Sequence, residues 1–503
     1  MEEGSGKSKF KDFFKDKYLW YLFAILLFAL VIRLYFFFQT LGQPLWWDEA
    51  VNMLQGKHWS IGTPSTGFGS QREIYLPLIY AIFFKFFGFS EVFARIFQLI
   101  LSTFSVFLVY LVGKEIYDKR IGLLSALLFS VFWPQLFYTY RLNPFIDALP
   151  FFLLSIFFFW KGYIKKENKY YIYLSAFIIA LGTPLYYNIG FPVAIFFIYL
   201  LFTDKFKFLR DKQIWSSLLI AFLVLLPYML YSYSAYGAPL ARLAQATKLG
   251  AESTNTPWYS YFQLMPSAMT IPLLLIFSFS LIYLLLNLIL GFDLMLKEKD
   301  ENLNKKLFLL IWLIVPFVLM TKIMVIGVGW VDIIYILPIF PPIFWITSEG
   351  IMKLYGFIKK YNREFAIFLV GAILIFSLYS QFKYADNLIN YKKDSYLQIK
   401  QAGIWLKENS NKDDKIITVS VPQITYYSEL ASYHPGADEK QFEENLTVIH
   451  PKFLMVSIYE SHPEWINNWI QKNNLTLQPI QAYFLDKEKT KPALIIYEFK
   501  DLK

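Results

Sequence analysis

Apolar residues fall in long blocks separated by short polar loops. Leu19–Phe38, Ile96–Val112, Ile121–Tyr138, Leu218–Tyr233, Ile271–Leu290 and Phe365–Leu378 are nearly continuous hydrophobic runs. Runs of roughly 15–25 residues suit a helix crossing about 30 Å of hydrocarbon at about 1.5 Å per residue. With the weaker blocks between them they predict a polytopic α-helical membrane protein of about eleven spans. Ile74–Gly88 is apolar but short and closed by a glycine-containing turn, so it reads as a helix in the membrane surface or a shallow re-entrant piece. From about Tyr384 the pattern becomes charged and polar. There Lys415–Ser420, Phe453–Tyr459, Leu475–Phe484 and Ala493–Phe499 read as strands. Tyr396–Glu408, Glu439–Asn445 and Pro463–Asn473 read as helices. The expected organisation is a membrane domain over 1–383, with a long loop at 40–94, and a soluble α/β domain over 384–503.

Composition agrees: 56% of the 503 residues are hydrophobic, 20% aromatic and 17% charged, more apolar surface than one soluble core can hide. The chain has no cysteine, which excludes disulfides, a thiol nucleophile and thiolate metal sites. Its net charge of +10 is spread among the loops rather than gathered in a patch with stacking aromatics, so nucleic acid is not an expected partner. The spread has a period. Basic residues crowd the N-terminal tail (Lys7, Lys9, Lys11, Lys15, Lys17) and the loops holding Lys114/Lys119/Arg120, Lys161/Lys165/Lys166/Lys169, Lys205/Lys207/Arg210/Lys212, Lys297/Lys299/Lys305/Lys306 and Lys353/Lys359/Lys360/Arg363. Loops near 40–94, 139–147, 183–190, 234–265 and 322–332 hold few. Cationic loops stay in the cytoplasm, so the N-terminus is expected inside and everything after Phe382 outside. The first block is expected to remain as an anchor, because no small-residue cleavage site follows it.

Candidate chemistry gathers on the expected outer side. After the first block comes Trp46-Trp47-Asp48-Glu49, two carboxylates where charge beside hydrocarbon is costly unless used or paired. An interfacial aromatic belt leading into an acidic helix N-terminus explains the same residues structurally, and composition alone leaves both readings open. The second outer loop, Tyr138 to Asp147, adds Tyr140, Arg141 and Asp147 at the same expected depth. Arg72, Glu73, Arg95 and Lys322 are expected on that side too. Each alone reads as a snorkelling or paired interfacial residue; together they describe an outward cavity of carboxylates and cations. Such a cavity suits sugar transfer from a polyprenyl phosphate: a carboxylate takes the acceptor proton and Arg or Lys stabilises the departing phosphate. His58, His434, His450 and His462 lack metal-ligand spacing, and Asn445 and Asn474 head weak Asn-Leu-Thr acceptor triplets.

The order of these features resembles the GT-C superfamily, in particular glycosyltransferase family 39, which includes protein O-mannosyltransferases and the aminoarabinose transferase acting on lipid A. The resemblance covers roughly the first 190 residues and lies in Asp48-Glu49, the Ile74–Gly88 helix, Ser90-Glu91-Val92-Phe93-Ala94-Arg95 and Arg141…Asp147. It implies that Asp48 is the catalytic carboxylate with Glu49 supporting it, and that Asp147 is a second essential acid. It also implies a polyprenyl-phosphate sugar donor, an inverting mechanism, and Arg95 and Arg141 at the donor phosphate, with Lys322 and Arg72 as further phosphate candidates. Trp47, Glu73 and Tyr140 are expected at the substrate. Glu73 matches an acidic position of the lipid A branch, but Ile74 stands where that branch has Lys. Tyr75-Leu76-Pro77 replaces the His-Pro-Pro of the mannosyltransferase branch, which leaves a protein, lipid or glycan acceptor open. No cofactor is expected; a divalent ion at Asp48-Glu49 is a less favoured alternative, since the acidic pairs of the related oligosaccharyltransferases are separated by one residue. Rival readings are a transporter or flippase of lipid-linked glycans, and a non-catalytic membrane subunit presenting the C-terminal domain. Against the transporter, charges sit at span ends and no internal repeat is visible.

Overall fold

A helix closes its backbone hydrogen bonds within one segment, which is what lets an apolar chain enter hydrocarbon. The apolar blocks are helices in the computed structural model, which describes residues 16–68, 73–88, 90–241, 243–245, 248, 253–291, 300–473 and 477–500. Among the described residues eight helices are long and apolar enough to cross a membrane: Lys17–Thr40, Glu91–Ile116, Pro144–Ile164, Lys212–Tyr236, Ile271–Leu290, Glu301–Val328, Ile333–Lys359 and Arg363–Lys392. Tyr75–Phe87, Tyr170–Gly182 and Tyr187–Thr203 are apolar but shorter. The count is therefore eight full-length helices where about eleven spans were expected. One cause is plain. Ile121–Tyr138, expected as a single span, is two helices, Lys119–Ser130 and Trp133–Tyr138. Pro134 enters at the start of the second, and its ring and missing N–H prevent continuation from the first.

The chain forms two compact units, neither continuous in sequence. One comprises residues up to Phe38, Phe97–Tyr140 and Pro144–Ile389; the other comprises Gln39–Ile96, Arg141–Asn143 and Asn390–Lys503. The loop at 40–94, assigned by sequence to the membrane domain, thus groups with the C-terminal residues, because its Trp47–Ile61 helix packs against the Val421–Ser428 helix.

The first unit is organised around Arg33, in the middle of an apolar helix and fully buried. Its Nε donates to Ser102 Oγ at 2.8 Å, Nη1 to the carbonyls of Ala29 and Ser130 at 3.0 Å each, and Nη2 to Gln135 Oε1 at 2.8 Å. The Arg33 carbonyl accepts from the Tyr140 hydroxyl. One guanidinium thereby ties together four chain segments that apolar packing alone would leave free to slide. Helix packing is close elsewhere. Trp345 Nε1 donates to the Val109 carbonyl at 3.0 Å, and a Cβ at Gly113 would lie 2.4 Å from that same nitrogen, so only glycine fits there.

Loops assigned by charge to one side meet one another in this unit. Lys165 pairs with Glu115 at 2.8 Å, Lys119 with Asp16, and the Lys305 ammonium sits 4.2 Å from the Tyr117 ring centroid. Of the expected outer loops, Tyr138 donates to Asp332. The basic tail residues Lys7, Lys9, Lys11 and Lys15, and Lys297 and Lys299, lie outside the described residues.

In the second unit a five-stranded sheet has strands β1 Lys415–Thr418, β2 Ala431–Tyr433, β3 Phe453–Ser457, β4 Leu477–Phe484 and β5 Pro492–Phe499, in the order β2-β1-β3-β5-β4. β1 runs parallel to β2 and β3, while β5 is antiparallel to β3 and β4. Alternating residues feed two cores. On one face Ile416 and Met455 meet Ile399, Leu406 and Ile424; on the other Ile417 and Leu454 meet Phe442, Leu446, Ile466 and Trp469. The four strands read from sequence are present: β1 and β3 end two residues earlier than expected, β5 begins one residue sooner at Pro492, and residues 475–476 of the expected third strand lie outside the described residues. β2 and the Val421–Ser428 helix were not anticipated: three residues give too little pattern, and Val-Pro-Gln-Ile-Thr-Tyr-Tyr-Ser is rich in β-formers that tertiary packing overrides.

Replacing Arg33 by Leu should leave Ser102, Gln135 and two carbonyls without this donor, costing about 1–3 kcal/mol for each acceptor left unsatisfied. A thermal-unfolding series in detergent checks this, with Arg33→Lys expected between wild type and Arg33→Leu.

Candidate active site

The Trp47–Ile61 helix is entered from an extended Trp46 and carries Asp48 and Glu49 in its first turn, where unpaired N–H groups and the macrodipole favour carboxylates. It can approach the Tyr75–Phe87 helix closely because Gly56 has no Cβ; one there would lie 2.9 Å from the Pro77 carbonyl oxygen. Asp48 is half-buried and Glu49 completely buried.

Glu49 faces the buried Arg141, Nη1 to Oε1 3.6 Å. Arg141 is itself held by the Lys392 carbonyl, which accepts from Nη2 at 3.1 Å, and by the Trp46 ring, whose centroid lies 3.9 Å from the guanidinium carbon. That is a cation–π contact with little water to weaken it. Trp46, rather than Trp47, is thus the tryptophan that meets the cation. Trp47 packs edge-on against Phe68. Burial raises the Glu49 carboxyl above the usual carboxylate range, partly opposed by Arg141 and then Arg95.

Arg95, also fully buried, donates from Nη2 to the Gln43 carbonyl at 3.0 Å and to Glu91 Oε2 at 3.3 Å, one turn earlier on its own helix. The segment Gln43–Glu49, Arg95 and Arg141 therefore form one cluster in the second unit. The C-terminal residues complete its rear wall. Tyr427 Oη accepts from the Leu45 N–H at 2.8 Å. Lys57, buried on the same helix as Asp48, donates to the Tyr426 carbonyl at 3.0 Å and pairs with Glu429 at 2.7 Å. Burial, then Glu91, holds the Tyr426 and Tyr427 hydroxyls well above the ordinary phenol range, so both stay neutral.

The other expected site residues are placed as follows. Glu73 is buried just ahead of the Tyr75–Phe87 helix, and Arg72 lies outside the described residues. Asp147, in the first unit, is fully buried in the first turn of the Pro144–Phe159 helix and accepts from Gln98 Nε2 at 3.2 Å. Tyr140 is buried with its hydroxyl committed to the Arg33 carbonyl. Lys322 is exposed on a π-helical stretch, Thr321–Val328. Sequence reading missed Trp46, Lys57, Gln98, Tyr426 and Tyr427. Only the position of Lys57, a lysine well inside an otherwise uncharged helix interior, offered a signal. His58 Nδ1 lies 2.5 Å from the Thr63 carbonyl at the end of its helix, and Asn474 lies outside the described residues. Among the described residues no group of three or more histidine, aspartate or glutamate side chains is arranged to hold a metal ion.

The pH dependence of stability has a definite sign. Glu49 titrates higher in the folded state than in the unfolded chain, so its contribution is complete below the unfolded carboxylate range and is lost as pH rises through the folded value. Melting temperatures across pH 4–8 should therefore fall less steeply with pH for Glu49→Gln than for wild type.

Residues 73–231 match the family described as dolichyl-phosphate-mannose-protein mannosyltransferase, a stretch holding Glu73, Arg95, Arg141 and Asp147 but beginning after Asp48. No curated protein matches by sequence. The fold is similar to ArnT from Cupriavidus metallidurans bound to undecaprenyl phosphate, with TM-score 0.65 at 10% identity, over 94% of this chain and 97% of that one. It is similar to the apo oligosaccharyltransferase of Archaeoglobus fulgidus, with TM-score 0.61 at 14% identity, over 88% and 70% of the two chains. A third likeness is to the same organism's oligosaccharyltransferase AglB in complex with an inhibitory peptide and a dolichol-phosphate, with TM-score 0.59 at 14% identity, over 87% and 69%. Residues 73–231 thus carry the likeness in sequence to that mannosyltransferase family, and the chain as a whole shares its fold with these solved structures.

Proposed function

We propose that the protein transfers a sugar from a polyprenyl-phosphate donor to an acceptor hydroxyl on the extracytoplasmic side of the membrane, with inversion at the anomeric carbon. The observation that carries this is the cluster around the Asp48-Glu49 turn: a half-buried carboxylate beside a second, fully buried one that faces the Arg141 guanidinium at 3.6 Å. The similar structures with undecaprenyl phosphate and dolichol-phosphate support the class of donor. The basic loops support a cytoplasmic N-terminus and an extracytoplasmic C-terminal domain.

In the proposed step a carboxylate oxygen of Asp48 takes the acceptor hydroxyl proton as that oxygen bonds to the anomeric carbon from the face opposite the phosphate. The bond between anomeric carbon and phosphate oxygen breaks with its electron pair leaving on the polyprenyl phosphate. The leaving group gains negative charge, so Arg141 and Arg95, already desolvated and held by backbone carbonyls, stabilise the transition state more than the ground state. Glu49 keeps Arg141 in place. Asp147, Glu73, Trp47, Tyr140, Lys322 and Arg72 remain candidates for donor and acceptor contacts.

Asp48→Asn, at matched abundance in membranes supplied with a panel of radiolabelled polyprenyl-phosphate sugars, should lose about 10²–10⁴-fold in transfer rate, the usual worth of a positioned general base. Arg141→Lys should lower transfer while the protein still folds, since a lysine supplies charge but not the fork that reaches the Lys392 carbonyl. Equal transfer by Asp48→Asn and wild type would remove Asp48 from the mechanism.

A further inference from the structure

The first unit holds a polar cavity that the proposed transfer does not use. Three segments line it: the turn after the Pro144–Ile164 span, the loop between the Phe191–Thr203 and Lys212–Tyr236 helices, and the start of the Glu301–Val328 helix. Its volume is about 390 Å³, within the roughly 300–1,000 Å³ of small-molecule sites. Its charged lining residues are Lys166 and Lys169 from the first segment and Asp204 and Asp211 from the second. Other lysines of the same turn are already committed, Lys161 to Glu167 and Lys165 to Glu115, each at 2.8 Å. Lys166 and Lys169 are exposed, and among the described residues neither joins an ion pair. The carboxylates are fixed by neutral donors: Asp204 accepts from the Tyr163 hydroxyl at 2.6 Å, and Asp211 caps the Lys212–Tyr236 helix, accepting from the Gln213 N–H at 2.8 Å.

A second cavity, apolar and of about 280 Å³, adjoins the first at Ile172, which lines both. It lies among the Tyr170–Gly182, Phe191–Thr203 and Lys212–Tyr236 helices, following them from Ile172 to Ile179, from Leu200 to Val193 and from Ile214 to Ala221. Seven residues of helix rise about 10 Å, roughly two-thirds of the hydrocarbon depth of one leaflet. Val193, Phe197 and Leu218 on its lining are exposed, so it opens on the outer face of these helices, where lipid lies. A charged cavity at the membrane surface thus continues into an apolar one within the hydrocarbon.

We propose that the two cavities together bind one membrane phospholipid with a zwitterionic phosphoethanolamine headgroup, from the leaflet that meets the basic loops. Its phosphate lies at Lys166 and Lys169, its ammonium at Asp204 and Asp211, and an acyl chain in the apolar cavity. Charge complementarity selects this occupant. Two cations and two anions match a headgroup of one phosphate and one amine. An anionic headgroup or a phosphate monoester satisfies the lysines but sets its charge against both carboxylates, and a quaternary amine has no N–H to give them. A water-soluble phosphoethanolamine leaves the apolar cavity unfilled. None of the lining residues is a candidate for sugar transfer, so the assignment stands apart from that reading.

Native mass spectrometry of the full chain, stripped of lipid in detergent, tests it. Titration should show one phosphatidylethanolamine bound about tenfold or more tighter than phosphatidylcholine or phosphatidylglycerol, the worth of one charged hydrogen bond. Lys166→Glu with Lys169→Glu, both at exposed positions, should weaken that binding by about tenfold or more, as should Ala221→Trp, which fills the apolar cavity. Glycerophosphoethanolamine, the same headgroup without acyl chains, should not displace the lipid at equal concentration. Equal affinity for the three phospholipids, or binding unchanged by the lysine pair, overturns the headgroup assignment. Displacement by glycerophosphoethanolamine overturns the acyl-chain site, and displacement by an equal concentration of polyprenyl phosphate overturns the choice of occupant. Melting curves without lipid show which variants are folded; should Ala221→Trp fail to fold, the lysine pair and the soluble competitor still decide.

Discussion

A guanidinium removed from water must be given acceptors for its N–H groups, and three of them govern how this chain is arranged. Arg33, Arg95 and Arg141 are each at most 2% exposed. Hydrocarbon and apolar protein offer no substitute for hydration, so every one of these side chains recruits backbone carbonyls, and the segments that supply them are fixed by the need. Apolar helices slide against one another at little cost; a charge that needs the carbonyls of Ala29 and Ser130 together with Gln135 does not allow it. The register of the first unit is set this way.

In the second unit the same constraint is placed at the chemistry. Arg95 is satisfied by Gln43 and Glu91, Arg141 by Lys392 and the face of Trp46. In the proposed transfer neither cation would have to be ordered or dehydrated first, which is the physical content of preorganisation. Glu49 bears the electrostatic cost of this arrangement, since burial disfavours its charge while Arg141 favours it. Asp48, one residue earlier, is less buried.

The C-terminal residues belong to the same compact unit as the Asp48 helix rather than forming an appendage. Lys57 and Glu429 form a mostly buried pair, and the Leu45 N–H is satisfied by Tyr427. These contacts hold the segment leading into the Asp48 helix from behind. The similar solved structures align over most of this chain, this unit included.

Much of this was legible in the sequence. Hydrophobic block length identifies membrane helices because bilayer thickness is a fixed ruler. Alternation and charge identify the strands and helices after residue 384, and the order of Asp48-Glu49, Arg95, Arg141 and Asp147 carries the resemblance to the GT-C superfamily. Glu49, Arg95 and Arg141 do meet in one cluster. Other features depend on contacts between residues far apart in the chain, which no local pattern encodes. Arg33 resembles any charge stranded in an apolar run until its acceptors on other segments appear. Val421–Ser428 has the propensities of a strand and is a helix because both its faces are packed, and Tyr426 and Tyr427 reach the Asp48 helix across more than 360 residues of chain. Sequence determined the solvent, the helices and the chemistry available; only tertiary structure decided which charges are buried together, because burial is a property of what packs around a residue and not of the residue itself.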